Sequence, residues 1–104
     1  MTIEEVRALC KDDTIKMTTH VHKRMDQRGI RYDEVIETIM SGVIIEDYPT
    51  AYPYPACLIL GWTADDRALH VCAGSDGSFL WIITAYEPDL TEWHEDLITL
   101  KEEN

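Results

Sequence analysis

His20, Arg24 and Arg28 recur at intervals of four residues. On a helix that spacing lays the three side chains along one stripe, drifting only about 40° per step. Histidine titrates near neutrality, and the planar arginine fork grips two oxygens of a phosphate or carboxylate. The stripe therefore predicts an anion site, either for acid–base chemistry with charge stabilisation or for docking an acidic partner. The rest of the chain sharpens this. Of 20 acidic and 9 basic side chains, Lys16, Lys23, Arg24, Arg28 and Arg31 all fall within residues 16–31, where Asp26 is the only acid. That window carries +4 in a chain of net charge −11, which leaves −15 on the remainder. So acidic a molecule weighs against general nucleic-acid binding, and any RNA contact is confined to the basic window.

The elements that must hold this stripe are legible from periodicity and caps. Thr2 and Glu5 form a capping box opening a short helix to about Cys10. Thr18 or Thr19 caps a second helix that ends at Gly29, and a third runs from Tyr32 to Ser41 and stops at Gly42. The period then changes. Val43 to Tyr48, Ala56 to Thr63, Leu69 to Ala73 and Phe79 to Tyr86 are rich in β-branched and aromatic residues. Short turn-rich gaps between them favour antiparallel neighbours. Leu90, Trp93, Leu97 and Leu100 share a helical face and predict a closing helix. The expectation is a single α+β domain over residues 1–104, with N-terminal helices on a four-stranded antiparallel sheet and a C-terminal helix. The last strand is apolar on both faces, so it is central or is covered by a helix or a second subunit.

Other candidates lie on the strands. His70 alternates with Ala68 and Cys72, whose small side chains leave room for a ligand cleft or for helix packing. Tyr86 ends the last strand beside Pro88, as a relay of protons or as a corner tyrosine. Tyr48, Tyr52 and Tyr54 sit in a proline-rich loop that can stack bases or offer a partner surface, and the scarcity of nearby positive charge favours the partner. His20 and His22 point about 200° apart on a helix and cannot share an ion there, so no metal site and no cofactor is expected. Cys10, Cys57 and Cys72 are an odd count without a C-x-x-C pair, which argues against a disulfide scaffold or zinc ribbon. A two-residue loop at Ala64-Asp65 would place Cys57 opposite Cys72, as two buried thiols in a reducing compartment. The opening residues lack a positive segment followed by an apolar one, and no stretch is long enough to span a bilayer, so a cytoplasmic protein is expected.

The ordered set Thr18-x-His20-x-x-x-Arg24-Met25-x-x-Arg28-Gly29-Ile30, Ile45-Glu46-Asp47-Tyr48, Cys57-Leu58-Ile59-Leu60-Gly61, Leu69-His70-Val71 and Ile83-Thr84-Ala85-Tyr86-x-Pro88-Asp89-x-x-x-Trp93 resembles the bacterial family called domain of unknown function 4258. The resemblance covers about residues 15 to 94. It implies a RelE-like fold, in the broad group of metal-independent ribonuclease toxins of toxin–antitoxin pairs. A zinc-finger antitoxin and RNA are the partners it implies. It carries His20, His70 and Tyr86 over as catalytic positions, and Arg24, Arg28 and Thr84 as substrate-binding ones. The tail Lys101-Glu102-Glu103-Asn104 departs from the basic cluster that commonly ends the family's last helix.

Two functions stay open at this level. One is an endoribonuclease that cleaves RNA to a 2′,3′-cyclic phosphate, with a base at the 2′-hydroxyl, a cation on the phosphorane and an acid at the leaving oxygen. The other is a non-catalytic interaction module of the same fold, its basic helix docking an acidic partner. Each residue has a plain structural alternative. Arg24 and Arg28 could pair with Asp33, Glu34 or Glu37, and His20, His70, Thr84 and Tyr86 could be satisfied within the fold.

Overall fold

Two apolar repeats build the molecule, a helical one up to Gly42 and a strand-like one after it. The computed structural model describes residues 1–102. The element order is α1 (Ile3–Ala8), β1 (Ile15–Lys16), α2 (Thr19–Gln27), α3 (Tyr32–Ser41), β2 (Val43–Tyr48), β3 (Ala56–Trp62), β4 (Ala68–Ser75) and β5 (Leu80–Tyr86). The strands form one five-stranded sheet in the order β1-β5-β4-β3-β2. The fold is thus α+β, with β2 to β5 antiparallel as expected. The fifth strand, β1, corrects the four-stranded reading. It pairs parallel with the start of β5, Ile15 with Leu80 and Lys16 with Trp81. Two residues are too few to show a period of two, which is why the sequence hid it.

The three helices pack on one face of the sheet. Val6, Val21, Met25, Ile30, Val35 and Ile39 meet Cys57, Ile59, Leu69, Val71, Leu80 and Ile82 there in a single buried core. In α2, Val21 and Met25 are the buried pair, four residues apart, and His20, Arg24 and Arg28 follow the exposed side. Thr18 caps this helix by accepting the Val21 N–H at 3.2 Å. Gly29 ends it in the left-handed region at φ 65°, and the Ile30 N–H returns to the Met25 carbonyl at 2.9 Å. Arg67 then fastens this end. Its guanidinium donates to the carbonyls of Gly29 and Arg28 at 3.0 and 3.2 Å and pairs with Glu34 and Glu87. Helix α3 lies so close to β3 that a Cβ on Gly61 would collide with the Thr38 backbone carbonyl. The Ser41 hydroxyl completes that join by exchanging bonds with both the N–H and the carbonyl of Trp62, each at 3.0 Å.

The C-terminal segment is not a helix. From Leu90 to Lys101 the chain makes turns closed by an antiparallel bridge between Trp93 and Leu100. Asp89 accepts the Thr91 N–H at 2.8 Å, and Asp96 accepts those of Ile98 and Thr99 at 2.9 and 3.0 Å. Short acidic side chains that bond their own backbone compete with a helix, and here they defeat the helical spacing of the leucines. Leu97 sits at φ 62°, which no helix accommodates.

The cysteine register is also corrected. The β3–β4 loop has three residues rather than two, with Thr63 and Arg67 closing it and Asp66 at φ 61°. Cys57 therefore faces Ala73, and Leu58 faces Cys72. A shift of one residue sends a strand's side chains to the opposite face. Cys57 lies in the core among the helices, whereas Cys72 points the other way, and all three cysteines are free. Burial pushes the Cys57 thiol up to about 11. Among the described residues no helix is long and apolar enough to cross a membrane.

Candidate functional site

The stripe on α2 faces the edge of β5 beyond the point where β1 stops. His20, Val21, Arg24, Met25 and Arg28 from the helix and Ile83, Thr84 and Ala85 from the strand line a cleft of about 320 Å³. Four of the expected site residues, His20, Arg24, Arg28 and Thr84, are thus brought together. The Arg28 guanidinium donates through Nη1 to the Thr84 hydroxyl at 3.2 Å and to the Ala85 carbonyl at 2.9 Å. These neutral acceptors orient Arg28 and leave its charge uncancelled. Because Thr84 Oγ1 accepts there, its own hydrogen is free to donate elsewhere.

The acids expected as alternative partners go elsewhere. Arg31 takes Asp33 at 3.1 Å, Arg67 takes Glu34 at 3.7 Å, and Glu37 accepts the Ala64 N–H at 3.0 Å. The Asp33 carboxyl is held below the usual range by its bond from Arg31. Among the described residues neither Arg24 nor Arg28 has a carboxylate partner, and Arg24 and His20 are exposed with no hydrogen-bond partner. Arg67, which absorbs Glu34, is joined to it only by the fold, and no local spacing reveals the pair.

His70 and Tyr86 lie apart from the cleft. The His70 ring is fully buried. Its Nε2 is 2.7 Å from the Leu97 carbonyl, and its Nδ1 is 3.1 Å from the Tyr86 hydroxyl. A carbonyl only accepts, so Nε2 carries the hydrogen, and the neutral ring receives the Tyr86 proton at Nδ1. Trp93 stands edge-on to the imidazole with centroids 4.5 Å apart. Burial pushes the His70 pKa below 6.5, against the opposing pull of the Leu97 bond and of Glu46. Burial also raises the Tyr86 hydroxyl above 10, with Cys72, Glu46 and Glu92 adding to it and Arg28 opposing. The tyrosine therefore keeps its proton, which suits a donor and not a base. Tyr86 and Thr84 are two residues apart on β5, so this buried pair backs the strand whose edge forms the cleft.

A second hollow adjoins the first. Thr18, His20, Val21, Ala51, Tyr52, Pro53, Tyr54, Trp81, Ile82 and Ile83 line about 490 Å³ of mostly apolar space, with His20, Val21 and Ile83 common to both. The proline-rich loop, isolated from positive charge in the sequence, comes to lie beside the basic helix. No spacing rule reveals that neighbourhood, because it is made by the β2–β3 connection folding over β5. Among the described residues no cluster of three or more His, Cys, Asp or Glu could hold a metal ion, and His22 is exposed outside both hollows.

No curated protein and no solved structure matches this chain. The family described as domain of unknown function (DUF4258) matches residues 17–87, a span that contains the α2 stripe, the cleft wall on β5 and the His70–Tyr86 pair. The chain belongs to that family.

Proposed function

We propose that the protein is a RelE-like, toxin-type endoribonuclease that cleaves RNA without a metal, leaving a 2′,3′-cyclic phosphate. The observation that carries this is the uncancelled pair Arg24 and Arg28 beside His20 in one open cleft. His20 takes the 2′-hydroxyl proton as that oxygen attacks phosphorus. Arg24, Arg28 and the Thr84 hydroxyl hold the charge that develops on the non-bridging oxygens. The P–O5′ bond breaks, and the leaving oxygen needs a proton. Tyr86 holds its proton against His70 and supports the strand from behind, so a water in the cleft protonates the leaving oxygen and the proton taken by His20 returns to solvent. The test is a labelled single-stranded RNA incubated with purified protein and a chelator. Cyclic-phosphate ends that disappear in His20→Ala and Arg24→Ala support this function. No cleavage, together with normal growth on induced expression, rejects it.

A second function has its own support. Only one imidazole reaches the cleft, and a chain of net charge −11 repels a polyanion everywhere else. The same free guanidiniums suit an acidic segment of a protein partner, such as an antitoxin of zinc-finger type. Arg24→Glu abolishing a pull-down with such a partner, without any RNA cleavage by wild type, favours this module.

A further inference from the structure

We infer that the apolar hollow next to the cleft is a nucleobase pocket, so that the two together hold one nucleotide of a single-stranded RNA, base in the first and phosphate in the second. This rests on the ribonuclease proposal and names the form of its substrate. Three observations lead to it. First, the hollow is walled by flat rings: Tyr52, Tyr54 and Trp81, with Pro53 and Ile83 between them. Aromatic faces stack any base, and single-stranded binding sites pair such faces with a cationic track. Second, the cationic track is continuous with the hollow. His20, Val21 and Ile83 line both spaces, and Arg24 stands one helical turn beyond His20. A volume of about 490 Å³ lies in the range of small-ligand sites and exceeds what one base needs. Third, the wall carries large apolar and polar groups that the fold does not use. Tyr52 is 98% exposed and Ile83 49%. The buried Trp81 indole N–H has no acceptor among the described residues. Base occupancy would cover Tyr52 and Ile83.

A duplex presents no free base face, so the pocket selects unpaired RNA. A proline-rich or tyrosine-seeking protein partner would use the same rings without needing Arg24, and this is the occupant the experiment separates from a base. The probe is a fluorescent eight-nucleotide 2′-O-methyl oligoribonucleotide, which cannot cleave itself, compared with one whose bases are replaced by abasic sites. Anisotropy is read at low salt. Wild type should bind the intact strand at least tenfold more tightly than the abasic one, and Tyr54→Ala should erase most of that ratio. Arg24→Ala should weaken both strands alike. Equal binding of the two strands, with both still sensitive to Arg24→Ala, would overturn the base pocket and leave the phosphate cleft intact. Failure of both strands to bind would overturn the pocket and the ribonuclease proposal together. Circular dichroism and urea midpoints of the variants confirm that folding is unchanged, and Tyr52→Ala, at a nearly fully exposed position, is the second variant should Tyr54→Ala misfold.

Discussion

The imidazole of His70 donates from Nε2 to the carbonyl of Leu97 across 2.7 Å. This one bond ties the irregular C-terminal turns to the middle of the sheet. On its other side the ring accepts the Tyr86 hydroxyl, and Trp93 stands edge-on to it. Replacing His70 with Ala strands a buried carbonyl and a half-buried hydroxyl and leaves a cavity. The expected loss of unfolding free energy is about 2–4 kcal/mol, read from urea melts. A loss below about 0.5 kcal/mol would mean that the C-terminal segment is not held by this ring.

The same residue gives a pH dependence with a definite sign. Its native pKa is pushed below 6.5 by burial, so the unfolded chain takes up a proton first as pH falls. More protons in the unfolded state means stability that rises with pH. The contribution is complete above about pH 6.5 and is lost progressively below it, toward the native pKa. Wild type should therefore show a lower urea midpoint at pH 5.5 than at pH 7.5, and His70→Gln should flatten that difference. The lowered carboxyls of Asp76, Asp89 and Asp96 act in a separate, more acidic window, through their usual value of 3.8 and below.

Arg24 should separate function from folding. Its side chain is exposed and makes no bond within the described residues, so Arg24→Ala should shift stability by less than about 0.5 kcal/mol. Cleavage under single-turnover conditions should fall by about a hundredfold, the usual effect of removing one group that stabilises transition-state charge. Arg28→Ala should add a stability loss of about 1 kcal/mol, because its bonds to Thr84 and Ala85 disappear with it. Equal cleavage by wild type and Arg24→Ala would remove the cleft from the chemistry.

Salt tests the proposed grip of the cleft on phosphates. Two guanidiniums on a single strand predict a slope of about −1.4 in log K against log salt. A slope near zero would mean that the arginines do not meet phosphate, and a slope several times steeper would require cations outside the cleft.

Gly61 tests the packing that fixes α3. A side chain there runs into the Thr38 backbone, which is fully buried and has no room to retreat. Gly61→Ala should cost about 2–4 kcal/mol by urea denaturation. By contrast, Gly77→Ala meets open space and is strained only by its φ of 93°.

Much of this architecture is legible in the sequence, and what is not has physical causes. The α2 stripe was legible because caps and periodicity agreed over nine residues, Thr19–Gln27. The four long strands were legible because β-branched runs and turn residues alternated cleanly. The closing helix misled because its leucine spacing was right while Asp89 and Asp96 had claimed the backbone. The Cys57 register failed over one extra loop residue, Asp66. At the site, spacing showed that His20, Arg24 and Arg28 share a side, but not that Thr84 lies opposite them. It also paired His70 with them by residue type, whereas that ring lies one strand inward, buried against Trp93 and the Leu97 carbonyl. The adjacency of Tyr52 and Tyr54 to His20 joins positions more than thirty residues apart and leaves no local trace.

The shortness of β1 sets the dimensions of the site. Ile15 and Lys16 occupy only the first two places along β5, after which the chain departs at Met17 and is turned into α2 by the Thr18 cap. The berth beside Ile83, Thr84 and Ala85, where a full-length edge strand would dock, passes to the side chains of a helix. An arginine has already taken the Ala85 carbonyl in place of a peptide N–H. Lengthening β1 by five residues would carry it along the rest of β5 and abolish the opening, so the cleft is the unbuilt portion of the sheet's own edge.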